Sequence, residues 1–262
     1  MKAITINSLL IGQASDYYKI KEALGFDSAD VDVVVHERPG FHGSKVPRAL
    51  WRSRTMRLLI GVKSSTISDY NTRRRALLAA LDLPRDGLTT MTLTTTDDLD
   101  LQADVQLAGK VDAPLLRGEV TIGEAWVPLI AEDPNFYSQT LDEDDITFAA
   151  GSGVVNNGGN APTYPTIRVR GAISGTISIA NTTTGRTVSF TGLSLAAGEY
   201  MDIDMLNETV TKSDDTNLYE YVVSDDFWWL AEGNNTITIS ATIGGSGDRK
   251  ITISYRDAYV GI

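Results

Sequence analysis

Across residues 99–107 apolar and polar side chains alternate without a break. Leu99, Leu101, Ala103, Val105 and Leu107 interleave with Asp100, Gln102, Asp104 and Gln106. Successive side chains of an extended chain leave opposite faces of a sheet, so this period of two specifies a strand with one dry and one wet face. The same pattern recurs along the chain. Met91 and Leu93 sit among Thr90, Thr92 and Thr94, and Thr96-Asp97-Asp98 reads as the hairpin turn between the two runs. Met56, Leu58, Ile60 and Val62 predict another strand, and Leu116, Val120, Ile122, Trp126 and Ile130 a longer one. Ile4 to Ile11, Tyr17 to Lys21 and Val31 to Val35 complete a mostly antiparallel set. One segment has helical spacing: Tyr70, Leu77, Leu78 and Leu81 share a face, with Ser68 or Asp69 as N-cap and Pro84 beyond the stop. That helix is expected to cover an open face of the sheet.

The second half is strand-like throughout. Ile173, Ile177 and Ile179 alternate with polar residues, as do Met201, Ile203 and Met205, and Ile237, Ile239, Ala241 and Ile243. Asn181 to Gly185 and Gly244 to Asp248 read as turns, and Ile251, Ile253 and Tyr255 follow. Charge changes as well: residues 1–134 hold 16 basic and 18 acidic side chains, residues 135–262 only 7 and 16. The run Asp142-Glu143-Asp144-Asp145 and the Gly/Asn tract at 151–160 lie just past that change and read as a solvated linker and a flexible loop. The expected fold is mainly β. A domain at 1–134, antiparallel with one helix, precedes a β-sandwich or jelly roll at 135–262.

Composition narrows the function. The net charge is −11, which suits no specific nucleic-acid binder, because phosphate contacts need clustered Lys and Arg. There are no cysteines and two histidines, His36 and His42, so thiol chemistry is excluded and His-based catalysis or metal ligation has little material. No apolar run reaches the roughly 18 residues of a membrane helix. The N-terminus lacks the pattern of a secretory signal, so a soluble chain made in a cytoplasm is expected. No phosphate-loop, dinucleotide, nucleophile-elbow or zinc-protease motif is present.

Four constellations remain. Arg73, Arg74 and Arg75 form a basic triplet on the helix, either a partner contact or a solvated face. Asp202 and Asp204 share one strand face at a spacing a glycosidase could use, although two water-facing carboxylates are the simpler reading. The histidines flank a turn-rich loop and lack further ligands nearby. Phe227-Trp228-Trp229 is the best binding candidate, since exposed Trp faces stack on sugars. On a strand, however, Trp228 and Trp229 point to opposite faces, so at least one belongs to the core.

Several segments, in order, resemble the distal tail proteins of siphophages. They are Arg38-Pro-Gly-Phe-His-Gly43, Leu58-Leu-Ile-Gly61, the helix with Pro84 and Gly87, and Pro128-Leu-Ile-Ala-Glu-Asp-Pro-Asn-Phe-Tyr137. Further on come Leu195 to Asp204, Thr209-Val-Thr211, Phe227 to Thr236 and Ile253 to Val260. The resemblance spans nearly the whole chain. It implies a structural virion protein at the tail tip, without catalytic residues or cofactors. The N-terminal domains are expected to close into a hexameric ring between the tail tube protein and the tail hub or tip protein. A galectin-like C-terminal domain is expected to project outward, carrying receptor-binding proteins, touching host glycans or simply decorating the ring. A ring that passes DNA favours an acidic wall, so Asp97, Asp98 and Asp100 are expected nearer the lumen than the Arg triplet.

Overall fold

The computed structural model describes residues 1–84, 87–115, 122–243 and 249–262. The chain divides into two compact units: Met1–Gln139 with Tyr259–Ile262, and Thr140–Ala258. Residues 135–139 and the last four residues therefore belong to the first unit. The class is mainly β, as the alternation requires.

In the first unit the strands are β1 (Ala3–Ile6), β2 (Leu9–Gly12), β3 (Tyr18–Leu24), β4 (Val31–Glu37), β5 (Ser44–Trp51), β6 (Arg54–Lys63), β7 (Thr89–Thr94), β8 (Asp100–Leu107), β9 (Ile122–Ala131) and β10 (Phe136–Ser138), with helix α1 at Ile67–Ala80. One antiparallel path runs β2–β1–β7–β8–β9–β6–β3, and β10 adds to β8. The stretch from Ile4 to Ile11 is two strands, because Asn7 and Ser8 both take positive φ and form a two-residue hairpin turn. Met56, Leu58, Ile60 and Val62 of β6 and Ala125, Val127 and Leu129 of β9 point into one core with Tyr70 and Leu77 of α1. Full burial of such side chains contributes about 1.5–3 kcal/mol each. The helix starts earlier than expected. Thr66 is the N-cap, its hydroxyl accepting from the Asp69 amide at 3.1 Å, while Asp69 accepts from the Ser65 amide at 3.0 Å.

Arg54 opens β6 and is 1% exposed. It donates to the carbonyls of Pro134 (2.7 Å), Gly25 and Asp27 (3.0 Å each) and Val260, with Phe136 under its guanidinium at 4.5 Å. Burial lowers its pKa, so four carbonyls must offset the desolvation of one cation. Gly25 and Asp27 follow β3, Pro134 lies between β9 and β10, and Val260 belongs to the C-terminal segment of the same unit.

The second unit is a sandwich of two five-stranded antiparallel sheets. Its strands are β11 (Asp142–Thr147), β12 (Ser152–Asn157), β13 (Thr166–Arg170), β14 (Ile173–Asn181), β15 (Arg186–Leu195), β16 (Tyr200–Asp204), β17 (Thr209–Lys212), β18 (Val222–Asp225), β19 (Gly233–Ile243) and β20 (Lys250–Tyr255). The sheet orders are β11–β20–β13–β16–β17 and β12–β19–β14–β15–β18. The core between them holds Ile167, Ile177, Phe190, Ile203, Trp228, Ile237 and Ile253.

Two expectations fail here. The acidic run is not a linker but edge strand β11, paired with β20 on one side. Glu143 and Asp145 line up with Ser254 and Thr252, while Asp144 lies 3.0 Å from the Tyr255 hydroxyl. Charged residues on an edge strand also oppose pairing with another chain. The Gly/Asn tract is not a flexible insertion either. Ser152–Asn157 is β12, paired with β19, and Asn157 is fully buried. Its side-chain amide donates to the Ala161 carbonyl at 2.8 Å, and its oxygen accepts from the Gly159 amide at 3.1 Å. Asn181 and Asn235 are also fully buried. Asn181 donates to the Trp229 carbonyl at 2.9 Å, and Asn235 both donates to the Ala231 carbonyl (2.8 Å) and accepts from the Ala231 amide (2.9 Å). Three carboxamides thus satisfy the backbone of the irregular segment 226–232, which could not otherwise be buried. The turn expected at 244–248 and the strand start at Leu116 and Val120 lie outside the described residues.

Candidate functional site

Val31 to Val35 was expected inside the sheet. Instead β4 pairs only with β5, as a separate two-stranded ribbon. All seven residues of β4 and all eight of β5 are exposed. The register sets Val31 opposite Trp51 and Val33 opposite Ala49, so these four share one apolar face. The other face carries Asp32 opposite Leu50 and Val34 opposite Arg48. Trp51 is 52% exposed, and Phe41, in the turn at 38–43, is 80% exposed. Eight residues at about 3.3 Å each give the ribbon a reach of roughly 25 Å. An isolated hairpin is marginal in water, and an apolar face of this kind marks an interaction surface. His36 and His42 are exposed on this ribbon and its turn.

The arginine triplet does not act as one patch. Arg73 holds Asp69 (2.7 Å) and the Lys63 carbonyl (2.7 Å) and stacks on Tyr17. Arg74 donates to the Ala113 carbonyl. Both are spent inside the unit. Arg75 is exposed and reaches only the Asn71 carbonyl of its own helix, at 3.2 Å.

The hairpin acids are individually anchored. Thr95 donates to Asp97 at 2.5 Å, which holds that carboxyl below its ordinary pKa. Lys2 pairs with Asp98, and Thr94 donates to Asp100 at 2.7 Å. Farther along the same pair of strands, Thr90 donates to Asp104 at 2.6 Å.

The two tryptophans are placed differently. Trp228 is fully buried, with its indole N–H 3.3 Å from the Ile179 carbonyl. Trp229 is partly buried, with the Arg186 guanidinium 4.5 Å from its ring centre and the Tyr164 ring tilted against it at 6.2 Å. The two aspartates have separate partners. Asp202 accepts both arms of Arg168 at 2.7 Å, and Asp204 accepts from the amides of Leu206 and Asn207 at 2.9 Å.

Residues 158–259 match the family model of the siphovirus-type tail component, C-terminal domain. The whole chain has the fold of the Dit protein of phage SPP1, whose crystal structure describes it as a paradigm of the hub adsorption apparatus in phages infecting Gram-positive bacteria. The TM-score is 0.74 at 15% identity, with 98% of each chain covered. Chains of the phage P2 baseplate in its activated conformation, with Ca or with Sr, match over 96% of each chain at TM-scores of 0.46 and 0.45 and identities of 8% and 9%. No curated protein matches. The resemblance to distal tail proteins drawn from the sequence is therefore borne out.

Proposed function

We propose that this chain is a non-enzymatic structural protein of the tail tip of a long-tailed phage. Its copies close into a hexameric hub ring between the tail tube protein and the tip or receptor-binding parts, around a channel for DNA. The single observation that carries this reading is the ribbon β4–β5. Among the described residues nothing covers its apolar face, and a projecting arm that lies on the next copy is a head-to-tail contact, which closes a ring when the rotation is right. The tail-component domain and the fold of the SPP1 protein support the location. In this ring Asp97, Asp98 and Asp100 face the channel, and Arg75 faces outward or toward a neighbour.

Negative-stain imaging of the purified protein tests the ring. Closed rings with a central hole are expected, and single particles at every concentration would contradict it. The chain has no native cysteine, so single thiols test the orientation. A reagent too wide for the channel should label Arg75→Cys rings and spare Asp98→Cys rings. The opposite pattern would reverse the assignment.

A further inference from the structure

The outer face of the sheet β11–β20–β13–β16–β17 holds a groove of about 220 Å³. Glu143, Asp145, Thr166, Arg168, Arg170, Asp202, Lys250, Thr252 and Ser254 line it. The strand registers sort these side chains into three cross-strand rows. Glu143, Ser254 and Thr166 form the first, Asp145, Thr252, Arg168 and Asp202 the second, and Lys250, Arg170 and Tyr200 the third.

The middle row is rigid. Arg168 forks onto Asp202 with two bonds of 2.7 Å and lies 4.3 Å above the Tyr200 ring. Asp145 accepts from Thr252 and Lys250 at 2.6 Å each, and these two bonds hold its carboxyl below the ordinary pKa. In the outer rows Lys250 and Tyr200 are engaged by Asp145 and Arg168, and Arg170 acts on Asp145 through its charge. Among the described residues neither Arg170 nor Thr166 has a hydrogen-bond or ion-pair partner, and Glu143 has only Ser254, at 3.4 Å. Thr166 and Arg170 are four residues apart on one strand, about 13 Å. The groove therefore offers a fixed polar floor with free donors and acceptors at both ends.

Three carboxylates and three cations line the groove, so it is neutral as a whole. A neutral groove gives no net attraction to a polyanion or a polycation. Every side chain that lines it is polar or charged, so it gives little driving force for an apolar peptide. Alternating donors and acceptors on a rigid floor match a ligand that is itself dense in hydroxyls. We infer that this groove is a binding site for a neutral saccharide, contacted by Arg170, Thr166 and Glu143 and floored by the Arg168–Asp202 pair. The guanidinium of Arg168 covers the Tyr200 ring, so no aromatic platform is offered and the single site is weak. Repetition on an assembly of copies raises the effective affinity without new contacts. The inference concerns the second unit alone and does not rest on the ring.

Saturation-transfer NMR of the full chain with lactose, maltotriose and chitotriose tests it. A saturable signal is expected from at least one sugar. It should fall at least fivefold in the Arg170→Ala/Glu143→Ala double variant, whose substituted side chains are exposed, and persist in Trp229→Ala. No signal from any of the three would overturn the site. So would a signal unchanged by the double variant, or one lost only in Trp229→Ala. A response confined to a sulfated or uronic oligosaccharide would overturn its neutral character.

Discussion

Two stretches of this chain, 38–43 with its flanking strands and 151–160, look alike on paper: short, rich in glycine and polar residues, and loop-like. They do opposite things. Around the first, all strand residues face solvent, and a Cβ added at Gly40 or Gly43 would meet nothing within 4 Å. In the second, Asn157 is fully buried, and a Cβ at Gly159 would sit 1.9 Å from the Ala258 carbonyl oxygen. The difference separates residues packed into their own unit from residues that face solvent. It also explains why composition alone misleads, since glycine marks both open turns and close backbone approaches.

The contrast can be broken most severely in the tract. Asn157→Ala removes partners from the Ala161 carbonyl and the Gly159 amide. It should destabilise the second unit by about 3 kcal/mol, because two buried backbone groups lose their bonds. Chemical denaturation measures this, and a loss below about 1 kcal/mol would mean that the tract is looser than its hydrogen bonds imply. Val33→Asp with Trp51→Asp should instead leave unfolding within about 0.5 kcal/mol of the wild type. The same change should weaken self-association at least a hundredfold, read by sedimentation velocity. If stability and association fell together, the ribbon would be part of its own unit's fold.

The glycines give a smaller and more direct comparison. Gly159→Ala drives a methyl group into backbone and should cost about 2–3 kcal/mol. Gly40→Ala meets open space but must hold φ near +78°, which costs about 1 kcal/mol. Thermal melts of the two variants should keep that order. The smallest effect is a pH dependence at Asp257, which accepts from the Gly158 amide at 2.7 Å. Burial, and then Asp142 nearby, raise its carboxyl pKa. A raised acid favours folding below the ordinary carboxylate range, and that contribution is lost as pH rises through the folded value. Asp257→Asn keeps the acceptor without the charge. It should therefore stabilise the protein by less than about 1 kcal/mol at neutral pH and by nothing in acid. A gain that grew on acidification would reverse the sign.

Much of the scaffold was legible because water alone sorts the side chains. The alternation at 99–107 and at 56–62 is β8 and β6, and the helix stands where Tyr70, Leu77 and Leu81 put it. The Thr66-x-x-Asp69 spacing was a readable N-cap signal that sequence reasoning passed over. Other features depend on partners far along the chain. Arg54 reads as a polar start to an apolar strand, yet its acceptors come from Gly25, Asp27, Pro134 and Val260. Asn235 interrupts nothing in the pattern, yet its carboxamide holds Ala231. Val31 to Val35 has the composition of a buried strand, yet among the described residues it pairs with β5 alone and stays exposed. The groove residues went unnoticed because Glu143, Arg168 and Lys250 come together only through the pairing of β11, β20 and β13.

Light scattering of the full-length chain, with and without Val33→Asp/Trp51→Asp, tests the assembly most directly. The account predicts a single species of about six chain masses for the wild type and one chain mass for the variant. A wild type that stays at one chain mass, or a variant that still assembles, would contradict it.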